Sequence, residues 1–369
     1  MKIIIINATA ARSSGALTIL KNFMSFVYVQ NDSQYFIHLL TTTEDVFHNA
    51  QNVLVHEIAP QNWRMRLSWD RNGFQRWCES DGILPDVVIS FQNTCPRLTG
   101  ALRAVKLLVY YHQQLPLVKY QWKWHRSDER ILFLYAHFYG LFVNRWNKNA
   151  EYVVQLPFVK ELFCKKFPNI PPARVHVIRP NLPYIGTDSV LPAKKVDGKY
   201  LFVFPATPLR YKNHIVILNA LHHLRFEDPE ILENMYVVFT VPSDSIVAES
   251  VVKLGLNDVV RCIGSIPYEE LLSLYKVCDT LLFPSKIESF GLPLVEAAMF
   301  GVPIVAADLP YAREVLEDYD GATFAASDDY KAWGEKIKCI VENERQKHTP
   351  FSQSKRNSWA DFTDLMMSL

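Results

Sequence analysis

The chain has 369 residues, 49% of them hydrophobic and 21% charged, and a net charge of +1 at pH 7. This composition describes a globular protein rather than a disordered one; the length suits two domains of roughly 180 residues, and the near-zero charge makes no case for a nucleic-acid partner. The six cysteines are scattered without CxxC spacing, which excludes a zinc-ribbon pattern and a disulfide framework from the expectations.

The opening run Ile3-Ile4-Ile5-Ile6 is four residues long, below the roughly 7–15 of a signal-peptide core. It reads as a first buried strand. No apolar stretch reaches the ~18 residues needed to cross a membrane, so a cytoplasmic protein is expected. Asn7-Ala8-Thr9-Ala10-Ala11-Arg12-Ser13-Ser14-Gly15-Ala16 then leads into a helix carrying Leu17, Leu20 and Phe23. Small residues before a helix let backbone N–H groups approach a phosphate closely, whereas the GxGxxG dinucleotide fingerprint is absent.

Strand-like runs follow at Tyr35–Leu40, Val53–Glu57, Val87–Ser90, Lys106–Tyr110, Tyr152–Val154 and Val175–Ile178. Helix-like stretches separate them, the pattern of a parallel sheet covered on both faces. His112 sits just past the Lys106–Tyr110 strand, at the carboxyl end where such sheets bind ligands. Further on, Lys119 to Lys148 interleaves Tyr120, Trp122, Trp124, Phe133, Tyr135, Phe138, Tyr139, Phe142 and Trp146 with Lys119, Lys123, Arg126, Arg130 and Arg145. Two readings stand: a segment that docks on an anionic membrane surface, or a long core helix with a solvated face.

From Pro180 to Gly198 the sequence holds three prolines and two glycines without periodicity, and 181–198 is read as a linker. The second half repeats the alternation, with strands at Tyr200–Phe204, Tyr236–Thr240, Val259–Ile263, Thr280–Phe283 and Val302–Ala306. Arg210, Lys212 and Asn213 lie in the loop after the first of these. The most informative segment runs from Pro284 to Ala297. Glu288 and Glu296 stand with seven residues between them, joined by Ser289-Phe290-Gly291-Leu292-Pro293, and a helix is expected after Pro293. Glu288 on the loop and Glu296 about a turn into the helix suit hydroxyl pairs. The N–H groups around Phe290, Gly291 and Leu292 are the unpaired donors of a helix start, suited to an anion. A ligand with two polyol parts and a negative centre, such as a nucleotide sugar, fits this layout. The tail carries Trp359, Phe362, Leu365 and Met366 at helical spacing.

Gly264 to Val315 resembles the donor-site half of retaining GT-B glycosyltransferases of family 4. The resemblance rests on the two glutamates with the Phe-Gly turn, on Gly264, on Glu270-Leu271 with Tyr275, on Asp279 and on Pro284-Ser285. It implies an α/β fold of two Rossmann-like domains facing a cleft, 1–180 on the acceptor side and 199–350 on the nucleotide-sugar side, with a C-terminal helix, 351–369, crossing back onto the first. It also implies Glu288 and His112 at the transferred sugar, Glu296 at the ribose, and Gly15 and Ala16 at a phosphate. Lys212 would hold the diphosphate. The family's second cation lies directly after the strand, where this chain has Ala206 and Thr207, and Arg210 stands nearest. Ser289, Phe290, Gly291 and Leu292 would contribute to donor binding, and Ile263 lies where backbone meets the base. No cofactor and no metal are implied. The reaction implied is transfer of a hexose, with retention, to a glycan or lipid-linked acceptor in bacterial surface-polysaccharide assembly, on the inner face of the plasma membrane if the 119–148 segment docks there. The rivals are another GT-B enzyme, a phosphorylase or nucleotide-sugar epimerase, and a catalytically silent partner in a glycan assembly complex.

Overall fold

A computed structural model describes residues 1–12, 14–59, 62–126, 129–182, 193–195, 198–352 and 358–369. The chain divides into two compact units, Met1–Pro183 with Lys355–Leu369, and Tyr184–Ser354. The expected linker 181–198 falls largely on residues outside the described ones.

The first unit is a seven-stranded parallel sheet made of β1 (Lys2–Asn7), β2 (Tyr35–Thr41), β3 (Val53–Glu57), β4 (Val87–Ser90), β5 (Lys106–Tyr110), β6 (Glu151–Val154) and β7 (Val175–Val177). Their order is β3-β2-β1-β4-β5-β6-β7. Ile4 pairs with Ile37 on one side and Val87 on the other. Helices cover both faces of a parallel sheet, which is why consecutive residues Ile4, Ile5 and Ile6 are all buried.

The final helix, Trp359–Ser368, belongs to this unit. It opens with a capping box between Ser358 and Asp361, in which side chains satisfy the backbone donors that a helix start leaves unpaired. Its inner face buries Trp359, Phe362 and Met366. The Trp359 and Phe362 rings both lie 5.1 Å from that of Phe23, and Phe362 lies 5.8 Å from Tyr110, in tilted or edge-on geometries. Trp359 Nε1 donates to the Asn181 carbonyl at 3.2 Å. Truncating a buried phenylalanine of this kind costs about 3–5 kcal/mol, so the inner face of this ten-residue helix is part of the core.

The second unit is a six-stranded parallel sheet of β8 (Tyr200–Phe204), β9 (Met235–Phe239), β10 (Val260–Cys262), β11 (Thr280–Phe283), β12 (Ile304–Ala307) and β13 (Ala322–Ala325). The order is β10-β9-β8-β11-β12-β13. The sheet closes on one edge with β13, a strand that the sequence does not announce. Its four residues, Ala-Thr-Phe-Ala, are only partly buried and pair with β12 alone. An edge strand of that kind carries neither the apolar run nor the alternation that marks a buried one.

The 119–148 segment does not form one long core helix. Among the described residues it is helical over Arg130–Phe138 alone and continues as a 3₁₀ turn, Tyr139–Phe142.

Candidate functional site

In the second unit the strand order reverses between β8 and β11, and open α/β sheets bind ligands outside the carboxyl ends of the strands at such a point. The chain leaves β8 through a 3₁₀ turn, Arg210–Lys212, and leaves β11 through the loop that carries Glu288. There Lys212 Nζ meets Glu288 Oε1 at 2.5 Å, with the two side chains 18% and 15% exposed. Burial alone would lower the Lys212 ammonium, but Glu288 and the Tyr211 hydroxyl outweigh it and raise it above its ordinary value. The cation is therefore fixed at neutral pH. Removing one member of such a pair strands a part-buried charge, which costs about 3–5 kcal/mol when burial is complete.

Asn213 holds these loops in register. It adopts a left-handed conformation (φ 63°) at the start of the helix His214–Glu227. Its side-chain amide donates to the carbonyls of Pro284 and Ser327, at 3.2 and 2.7 Å. One residue thus ties the β8 loop to the loops after β11 and β13. The Lys286 N–H adds a bond to the Tyr211 carbonyl at 2.8 Å. Sequence reasoning names Asn213 beside Lys212 but gives it no role, although asparagine is enriched at positive φ.

Gly291 begins the next helix, Leu292–Met299, at φ 86°. A β-carbon there would stand 3.1 Å from Leu294 Cδ1 in a conformation that side chains rarely adopt. Pro293 fits the first turn, whose missing N–H costs nothing there. The helix start turns its orphan donors toward the loop of Glu288. One turn in, Glu296 is 4% exposed. Its carboxylate accepts the Tyr275 hydroxyl at 3.1 Å and a second hydrogen bond from Tyr268. Burial pushes its pKa up to about 7 against the pull of the two tyrosines. Arg210 is exposed at the head of the turn whose inner residue is Lys212, and Ser289 is half-buried beside Phe290, which is buried. Ile263 follows β10 with its side chain 43% exposed, and its N–H donates to the Phe239 carbonyl.

In the first unit the corresponding reversal lies between β1 and β4. Asn7, the last residue of β1, and Gln92, just past β4, meet there: Gln92 Nε2 donates to Asn7 Oδ1 at 2.5 Å, and Trp69 Nε1 donates to the same oxygen at 3.2 Å. Gly15 is exposed and Ala16 half-buried in the first turn of the helix Ser14–Gln30; Ser13 lies outside the described residues. His112 follows β5. Its backbone N–H donates to Asn93 Oδ1 at 2.6 Å, and its Nε2 lies 3.4 Å from Asn93 Nδ2. Burial lowers the imidazole to about 4, with Arg66 adding to the effect and the Tyr110 backbone opposing it. The ring is neutral at pH 7. Behind it, Asp70 sits in a π-helical turn, Trp69–Gly73, a rare element that recurs at functional sites. Its carboxyl is pushed up to about 6 by burial and accepts the Thr94 hydroxyl at 2.6 Å. Asn93, Thr94 and Asp70 carry no motif in the sequence.

Residues 191–358 match the family model "Glycosyl transferases group 1". That stretch belongs to this family. Over 188 residues the chain is 26% identical to the D-inositol 3-phosphate glycosyltransferase of Streptosporangium roseum, covering 46% of this chain and 42% of that one. Over 94 residues it is 36% identical to the O-antigen chain mannosyltransferase RfbU of Salmonella typhimurium, covering 26% of each. The chain thus spans under half the length of these curated relatives. Among solved structures, Anabaena Alr3699/HepE in complex with UDP and glucose covers 100% of both chains at a TM-score of 0.68 and 15% identity. WaaG, a glycosyltransferase involved in lipopolysaccharide biosynthesis, covers 92% of this chain and 90% of its own at 0.64 and 13%. These likenesses establish the fold, two Rossmann-like domains of the GT-B class. Among the described residues no helix is long and apolar enough to cross a membrane, and no group of three His, Cys, Asp or Glu side chains is placed to hold a metal ion.

The raised pKa of Glu296 has a consequence for stability. The folded protein binds this proton more tightly than the unfolded chain, whose carboxyl titrates near 4.5. The stabilisation is therefore fully present below about pH 4.5 and is lost as pH rises through about 7. Glu296→Gln keeps a neutral group in the same place. Melting curves at pH 5 and pH 8 should show the variant gaining on the parent at the higher pH, and an identical difference at both would refute the buried, proton-binding carboxyl.

Proposed function

We propose that the chain is a retaining, metal-independent glycosyltransferase of family 4 that moves a hexose from a nucleotide sugar to a glycan or lipid-linked acceptor. The observation that carries the reading is the Lys212–Glu288 pair at the β8/β11 reversal, inside the matched stretch. Glu288 takes hydroxyls of the transferred sugar and Glu296 the ribose. Lys212 and the amides of Phe290, Gly291 and Leu292 take the diphosphate, with Arg210 as second cation. The first unit offers Gly15 and Ala16 to a phosphate and His112 to the sugar. In the reaction the bond from the anomeric carbon to phosphate oxygen breaks and the acceptor oxygen bonds to that carbon on the same face. The acceptor's proton leaves with the nucleoside diphosphate. The charge that develops on the leaving group meets a fixed ammonium and oriented amides, and no metal is called on. Preorganised electrostatics of this kind are worth several kcal/mol.

HepE is described in complex with UDP-glucose, which makes that compound the first donor to test. The names of RfbU and WaaG support bacterial surface polysaccharide as the setting. With the right donor and acceptor, nucleoside diphosphate should be released only when both are present, and Lys212→Ala should lower kcat by about 10²–10³-fold. Release at the same rate without acceptor, or a variant at parental kcat, would contradict the reading.

The same proposal places the protein on the cytoplasmic face of an anionic membrane. Ile131, Leu134 and Phe138 are 50–64% exposed on the helix Arg130–Phe138, and Trp124 and Leu141 flank them at 65% and 61%. The spacing of 3 and 4 puts the helical three on one face. Lys119, Arg130, Arg145 and Lys148 are exposed around this stripe, while Glu129 is buried. Trp122 is 8% exposed and belongs to the interior, so the aromatic pair Trp122 and Trp124 divides between core and surface. Flotation with phosphatidylglycerol vesicles should carry the parent upward and leave Trp124→Ala/Phe138→Ala behind; a parent that stays with neutral and anionic vesicles alike at the bottom of the gradient would refute the docking.

A further inference from the structure

Asn93 is held in an unusual way. It is 7% exposed and adopts φ 64°, one of few non-glycine residues at positive φ. Such a conformation persists where the surroundings over-determine it, and it collects at functional sites. Here the surroundings are visible. The Ser90 hydroxyl donates to the Thr94 carbonyl at 2.7 Å, and the Gln92 N–H donates back to Ser90 Oγ at 3.3 Å. The Tyr139 hydroxyl donates to the Gln92 carbonyl at 2.5 Å, and Thr94 is fixed from the other side by Asp70. The loop is clamped at every residue around Asn93.

The hydrogen bonds also fix which way the Asn93 amide faces. Its Oδ1 must be the atom that accepts the His112 backbone N–H, since a nitrogen there would oppose donor to donor. Nδ2 therefore carries its two hydrogens toward the imidazole. An N–H can only be met by a lone pair, so Nε2 of the neutral His112 is the unprotonated nitrogen and the hydrogen sits on Nδ1, which is buried without a hydrogen-bond partner among the described residues. At 3.4 Å the contact between Nδ2 and Nε2 is longer than a good hydrogen bond. The single lone pair of Nε2 is therefore only loosely held, and a hydroxyl can take it over while accepting the asparagine N–H that it displaces.

We propose that Asn93 Nδ2 and His112 Nε2 form a clamp for a single sugar hydroxyl, whose oxygen accepts from the asparagine while its hydrogen is donated to the histidine. An alcohol does both at once; an ether, a fluorine or a hydrogen in its place does not. This rests on the reading of His112 as a sugar contact. The charged groups around the pair are Arg66, which faces His112 and Tyr139, and Asp70, bonded to Thr94.

Asn93→Asp tests the clamp because aspartate tolerates positive φ and still accepts the His112 N–H, but loses the donor. Selective ¹⁵N labelling of histidine, with His112→Gln to assign the signal, reads the tautomer directly. In the parent Nε2 should be unprotonated from pH 8 down to about pH 5; in Asn93→Asp the carboxylate should draw a proton onto Nε2 near neutral pH. A parent ring protonated at Nε2 would overturn the proposal whether or not transfer has been reconstituted. In the transfer assay, deoxy analogues of the sugars should reveal one position whose loss costs the parent roughly 10- to 100-fold in kcat/KM. Asn93→Asp should be impaired with the intact sugar and indifferent to that position. Undiminished discrimination in the variant would defeat the clamp, while full transfer by His112→Gln would defeat the underlying assignment of His112 and leave the tautomer result standing.

Discussion

The second unit is organised around an ion pair at the point where its sheet changes direction. Strand order alone brings the ends of β8 and β11 together, and the residues that leave those ends are Lys212 and Glu288. A part-buried charge is tolerated only when it is paired, so each holds the other in place. Their surroundings follow from that need. Asn213 fixes the lysine loop to the glutamate loop, Gly291 turns the chain so that a helix starts beside the pair, and the helix carries Glu296 inward to Tyr268 and Tyr275. On the proposed reading, an anionic ligand with hydroxyl groups would meet there the Lys212 cation, the Glu288 carboxylate and the first amides of the helix. It would have to share Lys212 with Glu288, and the charge on the lysine is what makes that exchange favourable.

Both units solve the same mechanical problem in the same way. A loop leaving a parallel strand must present polar atoms without collapsing, and in each unit an asparagine at positive φ does the work. Asn213 spends its amide on two carbonyls of neighbouring loops. Asn93 spends one amide atom on the backbone of His112 and keeps the other beside the imidazole. The buried ionisable groups differ by the same logic. His112 is driven neutral by losing its proton and Glu296 tends to neutrality by keeping its own, because burial penalises whichever form is charged.

Much of this was legible in the sequence because the signals are local. Apolar runs mark strands buried on both faces, and twelve of the strands fall within a residue or two of where those runs lie. Gly291 and Pro293 mark a helix start, and the two glutamates around them mark the site. What stayed hidden depends on contacts between distant residues. β13 is an edge strand with too little burial to leave a pattern. Asp70 is 24 positions from the threonine that bonds it, and Asn93 acquires its meaning only when β4 and β5 lie side by side. The 119–148 segment shows its aromatics plainly, yet only the fold separates buried Trp122 from exposed Trp124.

The central claim is that the Lys212–Glu288 pair forms the donor site, and binding separates its two halves. Titration calorimetry with UDP and with UDP-glucose should be run on the parent, Lys212→Met and Glu288→Gln, with circular dichroism to confirm that each is folded. The account predicts that Lys212→Met weakens both ligands, whereas Glu288→Gln leaves UDP nearly as tight and removes the increment due to glucose. A folded Lys212→Met that binds UDP as the parent does would contradict it.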